Sequence, residues 1–341
     1  MPSAFALADD PLFMEHRAPA LHPERPERLL AARRAIESAA LPRAPVVLAA
    51  RDASDAELAR VHSNQYIEEL GRMADKSGYW DVDTYFAKGT TRAARRAAGA
   101  SIALALALLD GTARFGAALL RPPGHHARAN GAMGFCILNN VAIAAAAARA
   151  AGVTRVMIVD FDVHHGNGTQ EMFYADPSVL YVSVHQSPFY PGTGAVDEQG
   201  EGEGRGFSVN VPLSAGADDT VYDAAFERLI APVAELYKPG LLLLSAGFDA
   251  HLRDPLAGMR VSESGYAAMI DRLIGAVDKG VPIGLVLEGG YDLQGLESSL
   301  RRTVEALFAG PGEQSPGRIG PRHEQELAQA VLAAKNYWKL G

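Results

Sequence analysis

The sequence predicts a doubly wound α/β domain built on a parallel β-sheet. Three segments, RVMIVD, GLLLLSAG and PIGLVLEGG, contain apolar runs without polar alternation, as expected of strands buried on both faces. These runs alternate along the chain with segments of helical pattern, which is the element order of a parallel sheet covered by helices. The chain has 341 residues, of which 48% are hydrophobic, so one large domain with a sizeable core is expected.

The first third of the chain predicts helices and loops around one strand. The segment HPERPER, residues 22–28, contains two prolines and predicts a loop before a helix. Ser54 and Ser63 each precede a helical pattern and predict N-caps, because a serine hydroxyl accepts a hydrogen bond from the first helical turn. The other elements predicted here are a helix over 29–40, a strand over 45–49, a surface loop over 78–89 and an alanine-rich helix over 90–109.

From residue 115 onward, short apolar runs and helical patterns alternate regularly. The predicted strands cover residues 115–120, 156–159, 179–184, 207–211, 241–245 and 281–287. The predicted helices cover residues 139–151, 168–174, 221–237, 262–277 and 293–308. We expect one domain over residues 1–310. A Gly/Pro linker over residues 311–321 and a last helix over 323–338 follow, and we expect residues 311–341 to pack on the same domain.

Charge and cysteine content exclude several classes of protein. The formal net charge of −8 is not the basic footprint of a nucleic-acid-binding protein. Cys136 is the only cysteine, so an internal disulfide and a cysteine-based zinc site are excluded. No signal peptide and no apolar stretch long enough for a bilayer are visible. We expect a cytoplasmic protein with no membrane or nucleic-acid partner, while the composition leaves oligomerisation possible.

The segment DFDVHHGNG follows the predicted strand RVMIVD directly. Asp160, Asp162 and His164 are spaced two residues apart, and in an extended chain such side chains lie on one side. Two carboxylates and an imidazole that converge at a buried strand end need a cation between them, because unpaired buried charge is costly. The alternatives are a solvated acidic turn or a hydrogen-bonded core histidine.

Three further segments place polar residues after predicted strands. RPPGHHA contains His125 and His126, whose side chains titrate near neutral pH and suit proton transfer. SAGFDAH contains Asp249, which is either a third carboxylate at this edge or a helix cap. LEGGY contains Tyr291, which is either a donor to an oxyanion or a packing residue. An Asp/His/Asp set with open positions suits Zn²⁺ or a similar divalent ion such as Fe²⁺ or Co²⁺.

Six segments in order resemble the histone deacetylase superfamily. They are RPPGHHA, GFCILNN, DFDVHHGNGTQ, PGTG, SAGFDAH and LEGGY, and the resemblance covers about residues 21–308. HPERPERL and Asn167 resemble the class II branch and its bacterial relatives; the acetylpolyamine amidohydrolases belong to the same superfamily. The resemblance implies one catalytic domain with a parallel eight-stranded sheet flanked by helices, a fold shared with arginases.

The resemblance also implies roles for individual residues. The zinc ligands it implies are Asp162, His164 and Asp249. The other implied catalytic residues are the general base and later acid His126, the electrostatic histidine His125, their supports Asn167 and Asp160, and the carbonyl-binding Tyr291. Some relatives have Asp at the position of Asn167, so the uncharged amide is expected to leave His126 slightly less basic.

A substrate channel and potassium sites are implied in the same way. The channel residues are Phe135, Gly134, Tyr190, Leu256 and, at the rim, Asp83. Tyr190 keeps the aromatic face where Phe is common and adds a hydroxyl. The implied inner potassium site consists of the backbone oxygens of Asp160, Asp162, His164 and Val184 and the hydroxyl of Ser183. The implied outer potassium site consists of Phe173, Asp176, Val179 and Phe207.

The implied activity is zinc-dependent hydrolysis of the amide of an acetylated amine by metal-activated water. Acetyl-lysine-type substrates are favoured over acetylated polyamines on two grounds. Leu256 stands where some polyamine-selective relatives have Glu, and the loop over 78–89 is short where other polyamine enzymes carry a long insertion.

Two other functions remain as alternatives. An arginase-like ureohydrolase would need a second metal ion, and only His251 and Asp254 lie near the implied ligands as spare donors. A non-catalytic binder of acylated amines should have lost Tyr291, a histidine or a metal ligand, and this chain retains all of them.

Overall fold

The protein forms one eight-stranded parallel sheet with helices on both faces. The structure is a computed structural model and describes residues 4–310 and 317–341. The strands are β1 Phe5–Ala8, β2 Val46–Leu48, β3 Gly78–Tyr79, β4 Tyr85–Phe86, β5 Phe115–Ala118, β6 Val156–Asp160, β7 Val179–Gln186, β8 Ser208–Leu213, β9 Leu241–Ala246 and β10 Ile283–Leu287. The sheet has the order β2-β1-β5-β10-β9-β6-β7-β8, and β3 and β4 form a separate antiparallel hairpin. The predicted fold class is confirmed.

Eleven α-helices are present in the described residues. They are α1 Glu27–Ser38, α2 Asp55–Leu58, α3 Asn64–Arg72, α4 Thr90–Leu109, α5 Asn140–Ala150, α6 Asn167–Phe173, α7 Asp219–Ala225, α8 Ala231–Tyr237, α9 Glu263–Ala276, α10 Leu293–Ala309 and α11 Pro321–Ala334. Ser54 and Ser63 cap α2 and α3 as predicted, and Ser54 forms a full capping box with Glu57.

The central strands explain why the apolar runs lack polar alternation. Every residue of β6, β7, β9 and β10 is buried, because helices cover both faces of the sheet. Asp160 at the end of β6 pairs in register with Ser183 of β7 and Ser245 of β9. Since these strands are parallel, their carboxyl ends lie at the same edge, and the loops that follow them meet there.

The structure differs from the predicted elements in three places. β1 was not expected; its four residues pair with β5, three of them also pair with β2, and the strand places the N-terminal segment inside the sheet. The predicted surface loop 78–89 contains the β3–β4 hairpin. The predicted helix 221–237 is divided by a π-helical turn over Phe226–Ile230.

The C-terminal helix packs beside the edge strand β8. Leu327, Ala330 and Ala334 are buried, and the indole of Trp338 donates a hydrogen bond of 2.9 Å to the carbonyl of Gly206. Most of the predicted Gly/Pro linker, residues 311–316, lies outside the described residues. The division into residues 1–310 and 311–341 stays a prediction. Within the described ranges, no helix is both long and apolar enough to cross a membrane.

Candidate active site

Two loops at the carboxyl edge of the sheet bring two carboxylates and an imidazole together. Asp162 and His164 follow β6, and Asp249 follows the neighbouring strand β9. Nδ1 of His164 lies 3.1 Å from Oδ1 of Asp162 and 3.2 Å from Oδ2 of Asp249. Both carboxylates are buried, with at most 1% exposed. The structure therefore places the three predicted ligand residues in contact, and Asp249 does not cap a helix.

The hydrogen bonds of the two carboxylates leave one oxygen without a donor. Asp162 accepts from the backbone N–H of His164 at 3.0 Å and from that of Gly289 at 2.8 Å. Oδ1 of Asp249 accepts from the backbone N–H of Val163 at 2.8 Å. Oδ2 of Asp249 is buried and accepts no hydrogen bond, although the imidazole of His164 is near it. A buried carboxylate oxygen without a donor indicates a site for a cation.

Glycines let the chain approach these carboxylates closely. A Cβ on Gly247 would lie 2.1 Å from Oδ2 of Asp162, and a Cβ on Gly289 would lie 2.3 Å from Oδ2 of Asp249. Any larger residue would occupy the space around the oxygens. The glycines of SAGFDAH and LEGGY therefore keep the donor atoms of the site accessible.

The electrostatics of the group also fit a divalent cation. Burial and, to a smaller extent, the nearby charge of Asp162 raise the pKa of Asp249 to about 7, against the lowering effect of His164. The donor atoms of the three side chains all lie within 4.8 Å of one another. Two oxygens and one imidazole nitrogen are a donor set that catalytic zinc accepts, with positions left for water and substrate.

A second close group has the wrong chemistry for a metal. His125, Cys136 and Glu288 offer atoms within 4.8 Å of one another. Burial raises the pKa of the Cys136 thiol well above its usual range, so the thiol stays neutral and is a poor metal ligand, and burial raises the pKa of Glu288 to about 7. Oε2 of Glu288 accepts from the backbone N–H groups of Gly124 and His125, at 2.6 and 3.1 Å. Glu288 therefore fixes the loop that contains the two histidines.

The histidine pair lies beside the carboxylates, with ring centroids 4.0 Å apart. Nδ1 of His125 lies 3.1 Å from Oδ2 of Asp160, which also accepts from the hydroxyl of Tyr181 at 3.2 Å. Burial lowers the pKa of His125, but the charges of Asp162 and Asp160 outweigh it and raise this pKa to about 10. The structure therefore favours the charged imidazolium at His125.

The second histidine has the opposite protonation. Burial lowers the pKa of His126 well below its usual value, and the positive charges of His125 and His164 lower it further. Nδ1 of His126 lies 2.8 Å from Oδ1 of Asn167. An amide oxygen can only accept, so Nδ1 donates to it and Nε2 retains a lone pair. His126 is therefore prepared to accept a proton. The hydrogen bond to Asn167 raises the pKa of His126, but this partner carries no negative charge.

Tyr291 is held by two residues that sequence reasoning did not identify as its supports. The backbone N–H of Tyr291 donates to Oδ2 of Asp254 at 2.7 Å. Nε of Arg28 donates to the carbonyl of Gly290 at 2.6 Å, and the Arg28 guanidinium carbon lies 4.9 Å from the centre of the Tyr291 ring. Arg28 belongs to the HPERPER segment, and that motif was the one sequence feature that could have indicated its role. These contacts fix the tyrosine at the same edge as the carboxylates.

The residues of the two predicted channel walls contact different parts of the site. Phe135 has a left-handed backbone with φ of 69°, and its ring lies 5.9 Å from that of Tyr291. A Cβ on Gly134 would lie 2.5 Å from the His126 ring, so only glycine fits there. The ring of Tyr190 lies 5.2 Å from that of His126, and Phe189, which was not predicted, stacks on His164 at 5.3 Å.

The remaining predicted channel residues lie further out. The backbone N–H of Leu256 donates to Oδ1 of Asp254 at 3.0 Å, and Leu256 is half-buried. The carbonyl of Asp83 accepts from Nε2 of His22 at 3.1 Å. The His22 ring contacts that of Phe135, with centroids 4.8 Å apart, so Asp83 is joined to the Phe135 side of the channel.

The positions predicted to bind potassium occupy the strands and turns behind this edge. Ser183 and Val184 are buried in β7, and the Ser183 hydroxyl lies 2.9 Å from Nδ1 of His185. Carbonyls of the predicted outer site already accept backbone hydrogen bonds: Phe173 from Asp176 at 3.0 Å, Asp176 from Val179 at 3.4 Å, and Phe207 from Tyr181 at 2.9 Å. A carbonyl oxygen has two lone pairs, so these bonds leave a further ligand position.

Comparison with known proteins identifies the family. A family model described as "Histone deacetylase domain" matches residues 22–307. The chain is 42% identical over 293 residues to Histone deacetylase 15 of Arabidopsis thaliana, covering 84% of this chain and 53% of that relative. It is 38% identical over 306 residues to a probable deacetylase of Archaeoglobus fulgidus, covering 87% and 84%. It is 40% identical over 334 residues to human Polyamine deacetylase HDAC10, covering 93% and 49%.

A solved structure agrees with these relatives. The crystal structure of the HDA15 HD domain superposes with a TM-score of 0.92 at 38% identity, over 98% of this chain and 97% of that chain. Fold and relatives together define a hydrolytic deacetylase domain. The chain belongs to the histone deacetylase family, as its motifs predicted. It spans about half the length of Histone deacetylase 15 and of HDAC10.

Proposed function

We propose that this chain is a zinc-dependent deacetylase that hydrolyses acetyl-lysine-type amides at the edge formed by Asp162, His164 and Asp249. The observation that carries this proposal is the buried Oδ2 of Asp249, which accepts no hydrogen bond beside a second carboxylate and an imidazole. Those three residues would hold the zinc ion. When bound, zinc supplies a Lewis acid that polarises the amide carbonyl and lowers the pKa of the attacking water.

The side chains around the carboxylates provide the proton transfers. Nε2 of His126 retains a lone pair because Nδ1 donates to Asn167, so it takes the proton from water. The hydroxyl of Tyr291 donates a hydrogen bond to the carbonyl oxygen as that oxygen gains negative charge. His126 then passes its proton to the departing amine. His125, held charged by Asp160, contributes positive charge beside the reacting group.

Substrate preference is proposed from the channel. The half-buried Leu256 provides no negative charge to bind the second amine of a polyamine. The relative HDAC10 is named a polyamine deacetylase, so acetylated polyamines remain the second candidate substrates. We further propose that potassium binds at the carbonyls described above. A cytoplasmic location stays a prediction, since a relative from rice is named chloroplastic; oligomerisation stays possible.

The structure argues against the two other functions. A second metal ion would need spare ligands, but Asp254 accepts backbone hydrogen bonds from Leu256, Tyr291 and Asp292. Nε2 of His251 lies 3.5 Å from the carboxylate of Glu263, and His251 does not belong to the group of donor atoms that converge at Asp162, His164 and Asp249. A ureohydrolase is therefore disfavoured within the described residues. A binder without activity is disfavoured because the buried histidine pair has the split protonation that acid–base chemistry uses.

The test is a direct comparison of substrates. The zinc-loaded protein is assayed against an acetyl-lysine peptide and N-acetylputrescine, and kcat/KM is measured for each. We expect a strong preference for the peptide. A preference for N-acetylputrescine would reverse the substrate assignment, while failure on both and on other acyl amides, with one zinc bound per chain, would overturn the proposed activity.

A further inference from the structure

The two most exposed large apolar side chains of residues 4–310 and 317–341 lie beside the same contact at the channel rim. Leu21 is 102% exposed and Val82 is 97% exposed, and the next most exposed, Val47, reaches 72%. Leu21 precedes His22 and Val82 precedes Asp83, and Nε2 of His22 donates to the carbonyl of Asp83 at 3.1 Å. One contact between two distant loops therefore brings both apolar residues to one place.

That place is the mouth of the predicted channel. The ring of His22 lies 4.8 Å from the ring of Phe135, which in turn lies 5.9 Å from the ring of Tyr291. Tyr190, on the other wall, is 39% exposed, and the charges of Asp83 and Asp81 act on its hydroxyl. Leu21 and Val82 are therefore at the outer rim on the Phe135 side, where a substrate larger than the acetylated side chain would touch the protein.

Both residues are held outward by ordered turns. Leu21 has a φ of 66°, a left-handed conformation that is costly for a branched side chain, and the N–H of His22 closes the turn on the carbonyl of Pro19 at 3.2 Å. Oδ1 of Asp81 accepts from the N–H groups of Asp83 and Thr84, at 3.1 and 2.6 Å, which fixes the turn that exposes Val82. The left-handed backbone of Leu21 is strain of the kind that functional sites retain, and the two side chains offer apolar surface beside the same rim contact.

We infer that Leu21 and Val82 form an apolar clamp for a side chain that flanks the acetylated lysine in a polypeptide substrate. This inference rests on the proposed function and specifies its substrate class. A polypeptide fits the observations better than a free polyamine, because a polyamine carries no apolar side chain at this distance from its amide. The acidic residues Asp81 and Asp83 lie on both sides of Val82 in sequence. The clamp therefore favours substrates with apolar or basic residues next to the acetylated lysine and disfavours those with acidic residues there.

The test compares three substrates: an acetyl-lysine peptide with leucine on both sides, the same peptide with glycine on both sides, and acetyl-lysine blocked at both ends. Partial burial of one leucine side chain should give the leucine peptide an advantage in kcat/KM on the order of 5-fold over the glycine peptide. L21G and V82S should each reduce this advantage toward 1, and their effect on blocked acetyl-lysine should be much smaller.

Two controls separate the clamp from the fold. Glycine adopts the backbone of Leu21 without strain, so L21G should fold at least as well as the wild type. Leu332 is 68% exposed on α11, and L332S removes a comparable apolar surface at a distant site. The advantage of the leucine peptide should be unchanged in L332S.

Each contrary outcome has its own meaning. Equal kcat/KM for the two peptides in the wild type, or an unchanged advantage in both L21G and V82S, would overturn the clamp and leave the deacetylase proposal intact. If light scattering showed a wild-type dimer that dissociates in L21G, the apolar pair would be a subunit interface instead. If the zinc-loaded protein hydrolysed none of the three substrates, the proposed function itself would fail and the clamp with it.

Discussion

Two clusters of buried charged residues meet at the same edge of the sheet, and they differ in whether protein groups complete the hydrogen bonding of their charges. In the arginine cluster, Glu24 lies between Arg28 and Arg121, and all three are fully buried. In the carboxylate cluster, Asp162 and Asp249 share one imidazole, that of His164. The arginine cluster contains two guanidinium groups and one carboxylate, whereas the carboxylate cluster contains two carboxylates and one imidazole.

In the arginine cluster, every charged group has hydrogen-bond partners within the protein. Both oxygens of Glu24 are bound by Arg121, and the surplus donors of the arginines bind backbone carbonyls, those of Phe13 and His16 for Arg121 and those of Glu288 and Gly290 for Arg28. Burial alone would raise the pKa of Glu24, but the charge of Arg121 outweighs it and holds this pKa well below its usual range. A complete cluster of this kind supports the fold.

In the carboxylate cluster, protein groups do not complete the hydrogen bonding of the charged groups. Its acids repel each other, and one buried oxygen of Asp249 accepts no hydrogen bond. The difference shows how a ligand site can be distinguished from a structural ion pair within one protein. A buried charge that protein donors complete supports the fold, whereas two adjacent carboxylates that share one imidazole and leave an oxygen without a donor favour a bound cation.

The largest effect is expected for D249N, which removes a charge from the incomplete cluster. The neutral side chain should lower zinc content far below one ion per chain and reduce kcat on the order of 10³-fold, because the metal contributes several kcal/mol to charge stabilisation. Metal analysis and steady-state kinetics measure both. Without zinc, the variant should unfold at the same or a higher denaturant concentration than the wild type, because one repelling buried charge is gone. Full metal occupancy would contradict the assignment of Asp249.

The next largest effect is expected for E24Q, which breaks the complete cluster. Two buried guanidinium groups would lose their counter-charge, so the free energy of unfolding should fall by about 3–5 kcal/mol. Urea unfolding measures this value, and the folded variant should still bind one zinc ion per chain. The matched control is E297Q, in the exposed Arg34–Glu297 pair, where a loss of less than about 1 kcal/mol is expected. Equal losses of unfolding free energy in the two variants would show that the buried cluster contributes no more to stability than an exposed ion pair.

The third prediction is Y291F, which leaves the carboxylate cluster intact and removes one hydroxyl. A loss of about 10²-fold or more in kcat is expected, as for one oxyanion donor, with zinc content unchanged. The control is Y237F, whose hydroxyl donates to the carbonyl of Pro177 far from the histidines. Near-normal turnover of Y291F would exclude the role proposed for Tyr291.

The smallest effect concerns a buried histidine with uncharged partners. Nδ1 of His62 donates to the carbonyl of Arg128, and Nε2 accepts from the N–H of Asn139. Burial lowers the pKa of His62 to about 4. Because the unfolded chain binds this proton near pH 6.5, the contribution to stability is complete above that pH and is lost as the pH falls toward 4, by at most about 3 kcal/mol.

Unfolding measured between pH 7 and 4 tests the prediction for His62. H62Q can keep one donor and one acceptor but does not titrate, so its stability should fall less steeply with decreasing pH than that of the wild type. Parallel pH profiles would show that His62 makes no such contribution. A steeper fall in the wild type would show that a group satisfied by neutral partners responds to pH in this range, whereas the stability contributed by the ion-paired Glu24 is lost only as the pH falls below its ordinary pKa of 4.5.

Some of the site was predictable because its spacing is local. Asp162 and His164 lie two residues apart after an apolar strand, which located them at a strand end. β6 ends at Asp160, however, so the bend over residues 162–164, and not extended strand geometry, brings Nδ1 of His164 to 3.1 Å from Oδ1 of Asp162. Asp249 was ambiguous, because the sequence around it also suits a helix cap. Only the adjacency of β6 and β9 brings it within 3.2 Å of His164.

Other contacts join residues too far apart in sequence for any local pattern to show. Arg28 binds the carbonyl of Gly290 across 262 residues, and His22 binds that of Asp83 across 61. β1 was missed because its four residues have no distinctive periodicity, and its strand conformation is set by pairing with β2 and β5. These features depend on neighbours that only the folded chain supplies.

The sequence by itself determined the α/β class, the helix caps at Ser54 and Ser63 and the segments that contain the chemistry, because periodicity, capping and strand-end polarity are local properties of the chain. The tertiary structure decided which buried charges are complete and which are not. That distinction depends on the full set of donors around each oxygen, and those donors come from loops of several parallel strands that meet only at the carboxyl edge of the sheet.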